Sequence, residues 1–257
     1  MKRFLLFFLP LAIGLTACDT VDEDDRYIIV DQVKPERKVL LEEFTGQRCT
    51  NCPAAHAVIH KLEEQYGEDL VVVSIHAGNF GIPAPDGLMQ EEGDVYAKHW
   101  GVSAYPCGIV DRQPPVLNSD GWASSIRDDM AKPTNVDIDL GAYVSEDGKT
   151  IEISTVLASS ENVEGNLQLW ITEDHIIGFQ IDGSQRLTDY EHNNVFRACV
   201  NGTWGDAVRL TANVFAESKN SIAIDPSWDV NNLHVVAFVY NNSGVLQVEK
   251  TTIKINN

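Results

Sequence analysis

The hydrophobic pattern changes period near Pro133, and that change limits the architectures open to this chain. Beyond it, Val136, Ile138, Leu140, Ala142 and Val144 alternate with Asp137, Asp139, Gly141 and Tyr143. Ile151, Ile153, Thr155 and Leu157 repeat the habit after the turn EDGK, as do the later runs NLQLWIT, VRLTANVFAE, LHVVAFVY and VLQVEKTTIKI. Side chains that turn the same way at every second residue belong to strands with one buried face. NNSG, between the last two runs, reads as a hairpin turn. Several short strands with turn signals and almost no helix predict an all-β, immunoglobulin-like sandwich over 134–257. Before Pro133 the pattern mixes two periods. KVLLEEF, DLVVVSIHAG and CGIVDR read as strands; CPAAHAVIHKLEEQYG, EEGDVYAKHWG and DGWASSIRDDMAK read as helices stopped by Gly67, Gly101 and Pro133. That order predicts an α/β domain over 35–133, with a mixed or parallel sheet and helices on both faces.

Residues 1–17 have the layout of an export signal. Lys2 and Arg3 precede an apolar stretch, Phe4 to Leu15, too short for a membrane span of about 20 residues. Leu15-Thr16-Ala17-Cys18 resembles the lipobox of bacterial lipoproteins, which implies that Cys18 becomes a mature N-terminus carrying palmitate-type acyl chains and anchoring the protein to a membrane. DTVDEDD follows, almost without core-forming residues, so 18–34 reads as a solvated acidic tether. The formal net charge is −19, and loss of Lys2 and Arg3 with the signal makes it −21. So acidic a surface repels nucleic acid and anionic headgroups, and no nucleic-acid partner is expected.

Export decides what a cysteine can do. Cys49 and Cys52 are two residues apart, where a strand hands over to a helix, and Pro53 occupies a first-turn position at which a missing N–H costs nothing. Free N–H groups and the helix dipole at such a place favour a thiolate, which makes Cys49 the expected attacking thiol and Cys52, deeper in the helix, the resolving one. A metal clip is the rival reading. His56 and His60 follow Cys52 at four-residue steps, but Cys52 to His60 covers more than two turns of ~5.4 Å, so only Cys49, Cys52 and His56 can meet, an incomplete shell. Neither a metal nor a cofactor is expected. His56 reads as a helix-face residue that tunes Cys52, and His76, at a strand end, as a structural hydrogen bonder or a proton shuttle. Cys107 and Cys199 sit among apolar neighbours and read as buried thiols, with a bridge between them the alternative. The loops LTDYEHNN and IDPSWDVNN lack an ordered calcium-binding pattern and read as solvated turns, and Trp204 and Trp228 as loop anchors.

The C-x-x-C pair followed by Tyr105-Pro106 just before a strand resembles the thioredoxin superfamily. That resemblance implies a thioredoxin-like fold for 35–133 and a cis bond at Pro106, with Tyr105-Pro106 docking substrate. It also implies that Glu43, six residues before Cys49, is a buried carboxylate handling the proton of Cys52. Thr50-Asn51 stands where Gly-Pro is usual and no Trp precedes Cys49, so no reduction potential carries over. The lipobox, VLLEEFTGQRCTNCPAAH, VVVSIHAG, SAYPCGIVDR and YEHNNVFRACVNGTWG together resemble the outer membrane protein 28 family of Gram-negative bacteria. This resemblance implies an outer-membrane location, on the periplasmic face or the cell surface. Two functions follow as alternatives. One is thiol–disulfide exchange with protein disulfides or thiols of the envelope. The other is a surface binding or adhesion lipoprotein whose disulfide is structural.

Overall fold

The computed structural model describes residues 37–255; the export signal, Cys18 and the acidic tether lie outside them. The described residues form one compact unit. Its order is β1 (Val39–Thr45), α1 (Cys52–Tyr66), β2 (Leu70–His76), α2 (Glu91–His99), β3 (Cys107–Val110), β4 (Gln113–Leu117) and α3 (Ser119–Met130). There follow β5 (Val136–Val144), β6 (Thr150–Ser159), β7 (Val163–Glu173), β8 (Ile176–Asp182), β9 (Gln185–His192) and β10 (Val195–Cys199). The last strands are β11 (Asp206–Leu210), β12 (Ala216–Ala223), β13 (Leu233–Asn241) and β14 (Gly244–Thr252).

A mixed nine-stranded sheet runs β14-β13-β7-β10-β2-β1-β3-β4, with β11 added to β7. β1 and β2 are parallel, Glu43 opposite Ser74 and Thr45 opposite His76, while β3 returns antiparallel to β1 with Cys107 opposite Phe44. β1 and β2 are buried on both sides, which is why β2 reads as a nearly continuous apolar run, while β1 carries the buried Glu42 and Glu43 among its apolar residues. Alternate residues of β1 divide between two cores. Val39 and Leu41 pack with Ile59 and Leu62 of α1 and with Trp122 and Ile126 of α3. Leu40 and Phe44 pack with Tyr96 of α2 and with Trp170, Phe196 and Phe238 from the second half of the chain.

The helices match their predicted stops. α1 closes at Gly67, whose φ of 55° suits a residue without Cβ, and α3 ends before Pro133. The period-two segments also match: β5 and β6 bury Val136, Ile138, Ile151, Ile153 and Leu157, with most alternates exposed in β5 and half-buried in β6. The three-stranded sheet β12-β6-β5 packs these residues against Leu169, Ile171, Leu233, Val235 and Ala237 of β7 and β13.

Three readings are corrected. VRLTANVFAE is two strands, β11 and β12, in different sheets, parted by a turn in which the Val214 N–H donates to Thr211 O. QPPVL, unassigned by period, pairs with β3 as an edge strand, where its two prolines need no ladder donors. LTDYEHNN is not a solvated turn; most of it is β9, which forms a separate two-stranded sheet with β8.

Sheet continuity joins the two halves. β10 meets β2 in parallel at Val195 and Ser74, and the Ser74 N–H donates to Asn194 O at 2.7 Å. Asn194, at a φ of 58° that asparagine tolerates, also binds Asp174, Glu63 and Lys250. Further along, the Arg112 Nε donates to Glu42 at 2.8 Å. Its guanidinium lies 4.3 Å from the ring centre of Tyr240 and 4.6 Å from that of Phe238, a desolvated cation against aromatic faces.

Candidate functional site

β1 ends at Thr45, and the chain turns through Gly46-Gln47-Arg48 before α1 begins at Cys52. The turn is tight. A side chain on Gly46 would collide with the backbone of Phe80, and the Arg48 N–H donates to Phe80 O at 2.9 Å. Cys49 precedes the Asn51 N-cap, Pro53 lies in the first helical turn, and Cys49 and Cys52 are joined in a disulfide. The Tyr105–Pro106 bond is cis. It lies just before Cys107, the partner of Phe44 in β3, so it sits beside the end of β1 from which the dithiol loop departs. Tyr105 leans on Gly78 and on the half-exposed Phe80, their rings 5.4 Å apart.

Glu43 is fully buried, on the face of β1 turned to α1. Its Oε2 accepts from the Ser74 hydroxyl at 2.7 Å, and its Oε1 lies 3.3 Å from His56 Nε2. His56 is one turn beyond Cys52 on the same stripe of α1. Its Nε2 is also 2.9 Å from Thr45 Oγ1, and its Nδ1 is 2.7 Å from the Tyr190 hydroxyl of β9. Burial alone depresses the His56 imidazole, but the charge and hydrogen bond of Glu43 more than offset this and raise its pKa. His76 and His192 sit edge to face with ring centres 5.5 Å apart. Burial, then the charges of His192, His56 and Arg197, hold His76 well below the usual range. Burial, then the charge of His56, holds His192 down at about 4. Of this trio, His56 is therefore the imidazole shifted toward its charged form. A cavity of about 300 Å³ lies beside it, lined by His56, Ser74, His76, Tyr190, His192 and Asn194 among others.

The disulfide is covered. Cys49 is 2% exposed and Cys52 0%, although the sequence position alone leads one to expect an open Cys49. The cover is the β8–β9 hairpin. The Ile181 N–H donates to Gln47 O and the Gly183 N–H to Thr50 O, at 2.9 and 3.0 Å. The buried Gln180 amide donates to Cys49 O at 3.0 Å and Gly46 O at 3.4 Å. These backbone partners would otherwise be open to another extended chain. Sequence reasoning missed Gln180, Tyr190, His192 and Asn194, because their segment is mostly exposed and its alternation is weak.

The remaining candidates separate. His60 is exposed and faces Glu64. Cys107 and Cys199 are both free thiols, so no bridge joins them. Burial pushes Cys107 up to about 12 and Cys199 up to about 11, which leaves both as protonated neighbours rather than nucleophiles. Trp204 stacks near His99 and Tyr96, and Trp228 packs on the core between β5–β6 and β7–β13, as loop anchors. Among the described residues no group of three His, Cys, Asp or Glu side chains is placed to hold a metal ion, and no helix is long and apolar enough to cross a membrane.

Residues 93–257 match the family described as outer membrane protein Omp28. No curated protein matches the chain. HBP35 of Porphyromonas gingivalis is similar in structure, with a TM-score of 0.68 and 15% identity over 84% of this chain and 75% of that one. A protein from Agrobacterium tumefaciens has a TM-score of 0.52 and 16% identity over 83% of this chain and 93% of its own. A domain of the outer membrane lipoprotein Omp28 from P. gingivalis is 20% identical over 49% of this chain and 93% of its own, with a TM-score of 0.36.

Proposed function

This chain belongs to the Omp28 outer membrane protein family, and we propose that it performs thiol–disulfide exchange at that membrane, held there by lipid on Cys18. In this reading 35–133 is a thioredoxin-like domain, and the β-rich remainder is a sandwich that both carries it and covers its redox pair. Cys49 attacks, Cys52 resolves, and Tyr105-Pro106 borders the groove for an extended substrate chain. The observation that carries the reading is Glu43, a fully buried carboxylate beneath the helix that bears Cys52, engaged by Ser74 and His56. A buried carboxylate is costly to desolvate, and a passive staple gains nothing from one. A group able to take and return a proton beside a resolving thiol does. Exchange then requires the hairpin to lift, since the resting disulfide is closed to a macromolecular partner.

A second reading has its own observation. The 2% exposure of Cys49 favours a structural disulfide and a binding role for the β-rich half. One experiment separates them. Envelope extracts from cells carrying Cys52→Ser or Cys49→Ser are run on non-reducing gels. Exchange predicts that Cys52→Ser accumulates adducts that vanish with reductant, because Cys49 forms mixed disulfides that nothing resolves, while Cys49→Ser accumulates almost none. Equal and sparse adducts from the two would leave the binding protein as the better account.

A further inference from the structure

The polar chain beside the dithiol does not stop at Glu43. Glu43 has no exposure of its own, so a proton it accepts needs a carrier to reach solvent. Oε2 is taken by Ser74, and Oε1 faces His56. The His56 side chain is 20% exposed and borders the cavity between α1, β2 and β9. Its far nitrogen is fixed by Tyr190, a residue supplied by the second half of the chain. We propose that His56 carries the proton of the resolving cysteine between Glu43 and the cavity, with Tyr190 as the positioning residue that holds the imidazole for the transfer. The proposal rests on the exchange reading above.

The steps balance. The Cys49 thiolate attacks one sulfur of a protein disulfide, forms a mixed disulfide and expels the first substrate thiolate. The Cys52 thiol gives its proton to the Glu43 carboxylate, and its sulfur attacks Cys49. The Cys49–Cys52 bond forms, the bond to substrate breaks, and the second substrate sulfur leaves as a thiolate. The dithiol is oxidised by two electrons and the substrate disulfide is reduced by two. Neutral Glu43 then passes its proton to Nε2 of an imidazole whose Nδ1–H donates to Tyr190. The imidazolium so formed releases a proton from Nδ1 to the solvent side.

The surroundings single out His56. The titratable groups facing it are Glu43 from β1, His76 from β2, Tyr190 and His192 from β9, and His60 and Glu63 from its own helix. His76 and His192 are held neutral, as described above. Burial pushes Tyr190 up to about 12, so it keeps its hydroxyl proton across the working range. Glu63 is engaged by Asn194, and His60 turns outward to Glu64. Ser74 also touches both Glu43 and the cavity, but its hydroxyl is not a base; of the titratable groups just named, His56 is the one between the buried carboxylate and the cavity, bonded at both nitrogens.

The test uses the full chain reduced and loaded with glutathione on Cys49, and follows release of glutathione by Cys52 from pH 5 to 10. His56→Gln should slow release about 100-fold near neutrality, the size expected for a lost general acid–base partner. The deficit should close above pH 9, where the thiol ionises unaided. Tyr190→Phe, which removes a single oxygen, should give a smaller loss with the same pH shape. In the unsubstituted protein the His56 imidazole, followed by NMR, should titrate at a different pH in the oxidised and reduced states. Profiles of both variants that superimpose on the parent, while the parent still releases glutathione, would overturn the relay and leave exchange standing. A parent that neither accepts nor releases glutathione would overturn both.

Discussion

At the residue scale, the site is defined by which imidazoles stay neutral. His192 is buried, and its ring Nε2 is 3.2 Å from Phe179 O. Its pKa lies at about 4 in the fold, against about 6.5 when unfolded. A histidine with a depressed folded pKa contributes stability that is complete above the unfolded value and is lost as pH falls toward the folded one. Below pH 6.5 the protein should therefore lose about 3 kcal/mol through this ring, most of it by about pH 4, with the loss levelling off only below the folded value. His192→Gln keeps a donor near Phe179 O but cannot titrate. Urea unfolding of parent and variant at pH 7, 5.5 and 4 should show the parent falling more steeply, and parallel curves would refute the assignment. Cys49, Cys52 and Glu43 could be singled out as candidates in the sequence because they lie close together along β1 and α1, and Pro106 because Tyr105-Pro106 just before a strand resembles the thioredoxin pattern. Gln180, Tyr190, His192 and Asn194 could not. Gln180, Tyr190 and Asn194 lie some 130 residues away from the Cys49–Glu63 groups they touch, His192 packs on the equally remote His76, and nothing local marks a half-exposed strand as the lid of a distant site.

At the element scale, the hairpin β8–β9 has little else to hold it. It pairs only with itself, β8 and β9 forming their own sheet, and most of its residues are exposed. Few buried apolar contacts and a short set of hydrogen bonds mark a segment at the low end of local stability. Gln180 and His192 are buried exceptions, and Gln180 donates into the dithiol loop. Gln180→Ala removes those donors from Cys49 O and Gly46 O, a loss of roughly 1–2 kcal/mol of docking. The rate at which dithiothreitol reduces the disulfide in native buffer should rise about 5- to 30-fold, without a matching drop in melting temperature. An unchanged rate would show that reduction does not pass through hairpin opening. Elements with one strong period, such as α1, β5 and β6, were readable because burial on one face writes itself into the sequence. β4 and the pair β8–β9 were not, since edge strands and exposed hairpins carry no such record.

At the scale of the whole molecule, the change of period at Pro133 suggests two separable halves, while the sheet runs through both. Leu40, Phe44, Val73 and Ile75 of the first half share one core with Trp170, Phe196, Phe238 and Val248 of the second. The Glu42–Arg112 pair has its aromatic shell from Trp170, Phe238 and Tyr240. Arg37 likewise reaches across to Val245 O while it pairs with Asp111. Cutting the chain after Pro133 would bare one face of β1 and β2 and leave a buried ion pair without its packing, a loss far beyond the few kcal/mol a domain has in reserve. The two halves should therefore unfold together. Pulse-labelled hydrogen exchange through a urea titration, read on peptides from β1–β2 and from β7–β13, should give one midpoint for both. A fragment of residues 35–133 should lack the dispersed amide spectrum of a folded protein. Two midpoints, or a folded fragment, would make the β-rich half a separable carrier. A single transition would instead bind the chemistry of the dithiol to the β-rich half, because the strand that supplies Tyr190 and the lid over Cys49 would then exist only when both halves are folded.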